Sequence, residues 1–100
     1  MKRIVLLVLC LVTFVGIAHA DQFQFLYWNG QKTYYVSYSN VRVYNANNEW
    51  IFNGYTDQYG GITINLSNGN YNCYVYYREK WWYVRLGIDG RRELKTIYLR

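Results

Sequence analysis

Residues 71–88, YNCYVYYREKWWYVRLGI, decide the fold of this chain. Apolar side chains occupy alternate positions before and after a polar break, and this period of two residues is typical of half-buried β-strands. We therefore expect a hairpin with a four-residue loop, in which Tyr77 faces Trp82. The next pair on the core side is then Val75 with Val84.

The outward side of the same hairpin is rich in aromatic residues. The predicted register places Tyr76 opposite Tyr83. It also places Tyr74 opposite Arg85, and it leaves Trp81 in the loop. Cross-strand pairing of this kind is a common use of tyrosine in sheets, so the outward surface is either structural or a place where something binds.

Four Asn-Gly and Asp-Gly pairs divide the rest of the chain into short segments, and such pairs accept the positive φ angles of tight turns. Around the first pair we expect a two-residue turn in which Phe25 faces Tyr34. One step further along, Phe23 faces Val36. The four pairs are Asn29-Gly30, Asn53-Gly54, Asn68-Gly69 and Asp89-Gly90.

The segments between these turns are short and rich in Tyr, Val, Ile and Thr, the residues that pack well on a pleated sheet. No segment keeps a helical period. We predict an all-β chain of seven to eight strands, folded as a small antiparallel β-sandwich of the transthyretin or immunoglobulin type. If the chain is a monomer and not self-associated, charges such as Arg42 and Lys95 would blunt its edge strands.

Residues 1–20 are predicted to be a signal peptide, and residues 21–100 the working domain. Lys2 and Arg3 precede an apolar run that ends at Ala18-His19-Ala20, the pattern of a cleaved export signal. The run is short for a permanent anchor, which remains the alternative. We expect a secreted protein, extracellular or periplasmic, with no membrane span after cleavage.

Cleavage removes His19 and Cys10, and it lowers the formal net charge from +5 to +3. Without histidine, serine–histidine and cysteine–histidine nucleophile systems are impossible. The six carboxylates are scattered, and the spacings of calcium and zinc sites are missing. We expect no enzyme activity, no catalytic residue, no metal and no cofactor. Cys73 has no partner for a disulfide in its own chain, which favours a small buried side chain, and a disulfide to another chain is the alternative.

Several short motifs resemble the carboxypeptidase regulatory-like domains, within the transthyretin-like and collagen-adhesin B-type group of β-sandwiches. The resemblance implies an accessory, non-catalytic module and transfers no catalytic residue. The motifs are Thr56-Asp57-x-x-Gly60, then Ile62, Ile64 and Leu66, then Gly69-x-Tyr71-x-Cys73-x-Val75, and finally Ile97-Tyr98-Leu99.

The sequence predicts a binding or adhesion module that uses an aromatic strand face to hold a protein partner or a second copy of itself. The alternative is a carbohydrate-binding module in which sugar rings stack on exposed Trp and Tyr. The partner is expected to be an extracellular or envelope protein, or a glycan, and not nucleic acid. The candidate binding residues are Tyr74, Tyr76, Trp81, Tyr83 and Arg85.

Overall fold

The computed structural model describes residues 20–100, so nearly all of the predicted signal peptide lies outside the described residues. The described chain is all-β, as predicted, and contains no helix. It has eight strands: β1 (Asp21–Trp28), β2 (Thr33–Tyr35), β3 (Asn40–Tyr44), β4 (Trp50–Tyr55), β5 (Gly61–Ile64), β6 (Gly69–Tyr77), β7 (Lys80–Ile88) and β8 (Leu94–Leu99). No helix within this range is long and apolar enough to cross a membrane.

The strands form two four-stranded sheets packed as a small β-sandwich, which confirms the predicted fold class. In sheet A, β1 is the common partner: β5 pairs with its first half and β2 with its second half, both antiparallel. Sheet B has the order β4-β3-β6-β7 and is antiparallel throughout. The exception to antiparallel pairing is β8, which runs parallel to β1 from Gln22 to Tyr27.

The core lies between the sheets and is built from the alternate residues that the sequence pattern points inward. Among them Cys73 is fully buried, as predicted for a small apolar side chain, and burial raises the pKa of its thiol to about 12. The thiol is thus kept protonated and away from solvent. The buried apolar residues are Phe23, Phe25, Val36, Val41, Val43, Ile64, Cys73, Val75, Leu86, Ile88 and Leu99.

The Thr56-Asp57-x-x-Gly60 motif forms the turn that its residues predict. The Thr56 hydroxyl accepts a hydrogen bond from Ser39 N–H at 2.8 Å and donates one to a backbone carbonyl. One Asp57 carboxylate oxygen accepts two backbone N–H groups, both at 2.8 Å. Gly60 has φ 79°, and a Cβ there would collide with the carbonyl oxygen of Phe25, so only glycine fits.

The first hairpin has a longer loop than the sequence predicts. Tyr27 pairs with Tyr34, so four residues connect the strands instead of two. The side-chain oxygen of Asn29 accepts hydrogen bonds from two backbone N–H groups of the loop, at 2.8 and 2.7 Å, which stabilises the longer connection. The predicted pairs of this hairpin were wrong by two residues. Because the side-chain period is also two, the inward face is unchanged.

The second hairpin has a shorter turn than predicted. Arg78 and Glu79 alone connect β6 to β7, and both have positive φ, 52° and 65°. This is the two-residue geometry that matches the twist of paired strands. Trp81 therefore belongs to β7 and lies opposite Tyr76, so its placement in a loop was wrong. The predicted register again differs by two residues, and again the two faces are preserved.

Candidate functional site

The outer surface of sheet B, which we call the aromatic face, consists of the side chains that alternate with the core residues of its four strands. It holds seven aromatic rings, four asparagines and two arginines, and no lysine or carboxylate. Its residues are Asn40, Arg42, Tyr44, Trp50, Asn53, Tyr55, Asn70, Asn72, Tyr74, Tyr76, Trp81, Tyr83 and Arg85.

Cross-strand pairing brings the rings of this face together. Tyr74 lies opposite Tyr83, with ring centroids 5.4 Å apart, and Tyr76 lies opposite Trp81, with centroids 5.1 Å apart. Tyr44 meets Tyr74 edge to face at 5.6 Å. Neighbouring rings therefore contact each other at steep angles, between 56° and 87°. Such tilted pairs contribute stabilisation in addition to that from burial of their area. Because the rings are tilted, the surface is uneven and not flat.

The structure places all five candidate binding residues on the aromatic face. Tyr76, Trp81 and Tyr83 are between 41% and 50% exposed, whereas Tyr74 is half-buried between its neighbours. The predicted partner of Tyr74, Arg85, instead lies opposite Asn72 near the far end of the sheet. The Asn72 side chain accepts a hydrogen bond of 2.8 Å from the Tyr83 hydroxyl, which fixes the position of that ring.

Arg42 is the residue of this face that sequence reasoning missed. It lies on β3, between β4 and β6, so the expectation that it blunts an edge strand was wrong. Its guanidinium carbon is 5.0 Å from the ring centroid of Trp50 and 4.8 Å from that of Trp81. Alternation with Val41 and Val43 could have assigned it to the outer face, but nothing local links it to either tryptophan.

A β-bulge explains how Trp50 reaches Arg42. The register of the β3–β4 ladder shifts between Val43 and Tyr44, so Tyr44 pairs with Trp50 and skips one residue of β4. The extra residue turns the strand locally, and the Trp50 indole N–H donates to the Phe52 carbonyl at 2.9 Å. Trp50 remains more than half exposed beside the arginine.

Two recesses open on either side of the Trp81 ring. One, of about 410 Å³, is lined by Arg42, Tyr44, Asn48, Tyr74 and Trp81. The other, of about 470 Å³, extends from Trp81 towards the turn between β6 and β7 and includes Tyr38, Asn40, Tyr55 and Arg78 in its lining. Trp81 is thus the wall that the two recesses share.

A recess of about 500 Å³ lies away from this face, beside the ladder between β1 and β5. Two of its polar side chains, Asp57 and Gln24, are already bonded within the fold. The Asp57 carboxylate holds its own turn, and the Gln24 amide donates to the Tyr59 carbonyl at 3.0 Å. The aromatic face, by contrast, presents donors that no neighbouring residue has taken.

A charge cluster of Asp21, Asp89 and Lys95 lies at one end of sheet A. Asp21 is fully buried and accepts hydrogen bonds from the N–H groups of Asp89 and Gly90, at 3.1 and 3.0 Å, and from the Lys95 ammonium group. The Lys95 ammonium also donates to Asp89 at 2.6 Å. Lys95 therefore lies on an edge strand, since β8 pairs with β1 alone, but its ammonium group is bound to the two carboxylates of the cluster.

The contacts of this cluster shift two pKa values. The hydrogen bond from Lys95 lowers the pKa of the Asp89 carboxyl, and a backbone N–H from Arg91 lowers it further. Partial burial lowers the pKa of the Lys95 ammonium, but its hydrogen bonds to Asp21 and Asp89 outweigh that effect, and the pKa is raised. Both shifts favour the charged forms, so the cluster is an ion-pair network rather than a neutral one.

Arg78, in the turn between β6 and β7, covers the end of the sandwich. Its guanidinium carbon lies 4.6 Å from the ring centroid of Tyr27 and 5.1 Å from that of Tyr34. A hydrogen bond with Tyr77 raises its pKa. These contacts hold the turn against both sheets.

Comparison with known proteins supports the fold and does not identify a family. No protein-family model matches the chain, and a search of curated proteins finds no match. Among solved structures, the Bacillus anthracis TIE protein is similar, with a TM-score of 0.61 and 14% sequence identity. The match covers 81% of this chain and 17% of that one, so this chain spans less than a fifth of its length. At this identity the likeness shows the β-sandwich fold alone.

Among residues 20–100, no group of three or more His, Cys, Asp or Glu side chains is placed to hold a metal ion. The charge cluster has only two carboxylates, and a lysine ammonium occupies the space between them.

Proposed function

We propose that this chain is an exported, non-catalytic binding module that uses the aromatic face to hold a protein partner. The composition of that face carries the proposal. Tyr, Trp and Arg are the residues enriched at energetically dominant positions of protein interfaces, while Lys, Glu and Asp are depleted there. Nine of the thirteen residues of the aromatic face are Tyr, Trp or Arg, the other four are Asn, and none is Lys, Glu or Asp.

The scaffold also favours binding because the face is held rigid before a partner arrives. Its side chains stand on a four-stranded sheet, and tilted ring pairs and the bond from Tyr83 to Asn72 restrict their rotation. Tyr and Trp lose little conformational entropy on binding, since few of their bonds rotate. Asn side chains at the margins supply adaptable donors and acceptors.

A carbohydrate-binding module is the second candidate. The exposed rings of Trp50 and Trp81 offer stacking surfaces for a sugar, and Asn48, in the lining of the recess beside Trp81, offers an amide group. The steep angles between neighbouring rings favour the protein partner, because an extended flat platform for consecutive sugar rings does not form.

Kinship with the carboxypeptidase regulatory-like domains is part of this proposal. It is supported by the bonds of Thr56 and Asp57 in their turn, and by the half-buried Tyr71, whose hydroxyl donates to the Ser67 carbonyl at 2.6 Å. An accessory role of that kind agrees with export, and the signal pattern of residues 1–20 supports export.

A peptide-display selection tests the proposed function. The full chain, produced with its own first twenty residues in an exporting host, is the bait, and peptides are counter-selected on a Tyr76→Ala/Trp81→Ala/Tyr83→Ala variant. A Trp28→Ala/Tyr35→Ala variant is the matched control, since those two rings are similarly exposed on the outer surface of sheet A. We expect peptides that bind the wild type and the control and lose at least about tenfold in affinity on the triple variant.

Two results would contradict the protein partner. If the selection yields no peptide that binds specifically to the aromatic face, the hypothesis of a protein partner is rejected. If the chain binds soluble or insoluble polysaccharides and this binding disappears in the triple variant, the aromatic face is a carbohydrate-binding surface. Light scattering over a range of concentrations, run on the same samples, shows whether the partner is a second copy of the chain.

A further inference from the structure

We infer that Arg42 is the anchor point of the aromatic face for a carboxylate, carried by an aspartate or glutamate side chain of the partner. The inference rests on the proposed function and narrows it to an acidic protein segment. The surroundings of Arg42 differ from those of Lys95, the lysine of the charge cluster.

The Arg42 guanidinium is held in place but has no anion. Trp50 and Trp81 flank it within 5.0 Å, and their rings attract its positive charge. A ring face does not replace a hydrogen-bond acceptor for all five N–H donors of a guanidinium. Its Nε is buried and has no hydrogen-bond partner, and the described residues form no salt bridge to this arginine. A buried donor without a partner destabilises the free protein and favours any ligand that supplies an acceptor.

The charges around Arg42 favour a ligand with a negative charge. The aromatic face has two arginines and no carboxylate. Glu49, next to Trp50 in the chain, is not part of the lining of the recess beside Arg42, and its carboxylate accepts a hydrogen bond from the Asn45 side chain at 3.0 Å. An anionic group that approaches Arg42 therefore meets no repelling carboxylate of the face itself.

The recess beside Arg42 provides the space and the remaining contacts. Its volume of about 410 Å³ accommodates a side chain, and its lining adds the Tyr44 and Tyr74 rings and the Asn48 amide. A planar carboxylate forms paired hydrogen bonds with a guanidinium. The rings at its sides would shield those bonds from water and strengthen them. A protein segment is favoured over an acidic sugar because the aromatic face as a whole has the composition of a protein interface, the same observation that supports the proposed function.

The experiment titrates two defined probes into the full chain labelled with ¹⁵N. One is a blocked glutamate-tyrosine dipeptide and the other its glutamine counterpart, identical except for the charge. We expect the glutamate probe to shift the Nε–H signal of Arg42 and the indole N–H signals of Trp50 and Trp81 to saturation. We expect the glutamine probe to bind at least about tenfold more weakly.

Variants separate an anchoring role from a structural one. Arg42→Met keeps much of the side-chain volume and is expected to abolish the preference for glutamate over glutamine while leaving the remaining spectrum folded. Arg92→Gln, at an exposed arginine in the connection between β7 and β8 and outside the aromatic face, is the control and is expected to retain that preference.

Three results would overturn the inference: equal binding of the two probes, no shift at Arg42, or a preference for glutamate that survives in Arg42→Met. Tighter binding of an oligogalacturonate than of the glutamate probe, also lost in Arg42→Met, would assign the anchor to an acidic glycan and overturn the protein occupant. Face-specific peptides from the display selection that bind without dependence on Arg42 would leave the proposed function standing while this inference fails. If the glutamate probe binds at Arg42 while the selection returns no peptide, the proposed function fails and the carboxylate anchor stands.

Discussion

Lys95 and Arg42 are cations on opposite sheets of one small sandwich, and the fold treats them in opposite ways. Lys95 donates to two carboxylates, and one of these, Asp21, is fully buried. Arg42 lies among aromatic rings and forms no salt bridge with any described residue. From the sequence alone both look like ordinary surface charges on strands.

This difference assigns Lys95 to the stability of the fold and Arg42 to the binding of a ligand. A charge whose partners lie in its own chain contributes to the folded state, and its removal leaves a buried opposite charge behind. A charge that is held in place without a partner contributes little to folding and remains available to a ligand. The two sheets can therefore be tested independently, and each serves as the reference for the other.

The largest difference is expected when each cation site is disrupted. Asp21→Ala removes the acceptor of three hydrogen bonds, and we expect it to lower the free energy of unfolding by about 3 kcal/mol. Arg42→Met is expected to change that free energy by less than about 1 kcal/mol. Urea unfolding followed by tryptophan fluorescence measures both. Equal losses in the two variants would show that Arg42 is a structural residue after all.

The rate at which the Cys73 thiol is labelled is a second measure of the stability difference between Asp21→Ala and Arg42→Met, because labelling requires the core to open. Because Cys73 is fully buried and its pKa is raised to about 12, a thiol reagent reaches the thiolate only when the sheets separate. A loss of about 3 kcal/mol corresponds to roughly a hundredfold faster labelling in Asp21→Ala when opening is fast and reversible. Arg42→Met should label at close to the wild-type rate. Rapid labelling of the native wild type would contradict the buried position of the thiol.

The pH dependence of stability is expected to come from sheet A. The pKa of Asp89 is lowered from its ordinary 3.8, so its contribution is present above pH 3.8 and is lost as the pH falls through the folded-state pKa. The pKa of Lys95 is raised from 10.5, so its contribution is present below pH 10.5 and is lost as the pH rises through the higher folded-state value. Melting temperatures across this range should fall at both ends, and Asp89→Asn should flatten the acid side. An unchanged acid limb in that variant would contradict the assignment, whereas Arg42→Met should leave both limbs unchanged.

The smallest effects are expected in the two hairpin connections. Glu79 has φ 65° in the turn of sheet B, and Glu79→Gly should stabilise the fold by about 0.5 kcal/mol, since glycine adopts this conformation without strain. Gly30 has φ 98° in the loop of sheet A, with open space around it, and Gly30→Ala should destabilise by about 1 kcal/mol through backbone strain alone. Thermal unfolding of both variants tests whether their stability changes have opposite signs. Two changes of the same sign would show that one of the connections was assigned the wrong geometry.

Local alternation was sufficient to predict the strands, the core and the faces of the sheets. It placed Val75, Cys73 and Leu86 inside and Tyr76 and Tyr83 outside, and those positions survived an error of two residues in the register. The error arose in the turns. Asn29 uses its side chain to support a four-residue loop, while Arg78 and Glu79 accept positive φ without being Asn or Gly.

Contacts between distant parts of the chain were beyond a reading of local pattern. The burial of Asp21 depends on residues near the other end of the sequence, and the contact of Arg42 with Trp50 depends on a bulge in the β3–β4 ladder. Both involve charged side chains, whose destinations depend on long-range partners. Apolar residues are easier to place because any position in the core satisfies them.

The parallel pairing of β1 with β8 sets the order in which this chain can fold. Partners in that ladder are separated by about 70 positions, so closing it requires ordering a loop that includes nearly the whole domain. High contact order of this kind slows folding and leaves strand edges exposed in the meantime. Sheet B is made of neighbouring hairpins and can assemble first, whereas sheet A stays incomplete until residues 94–99 are available. Completion of the sandwich is therefore the last step of folding, and it depends on the final strand.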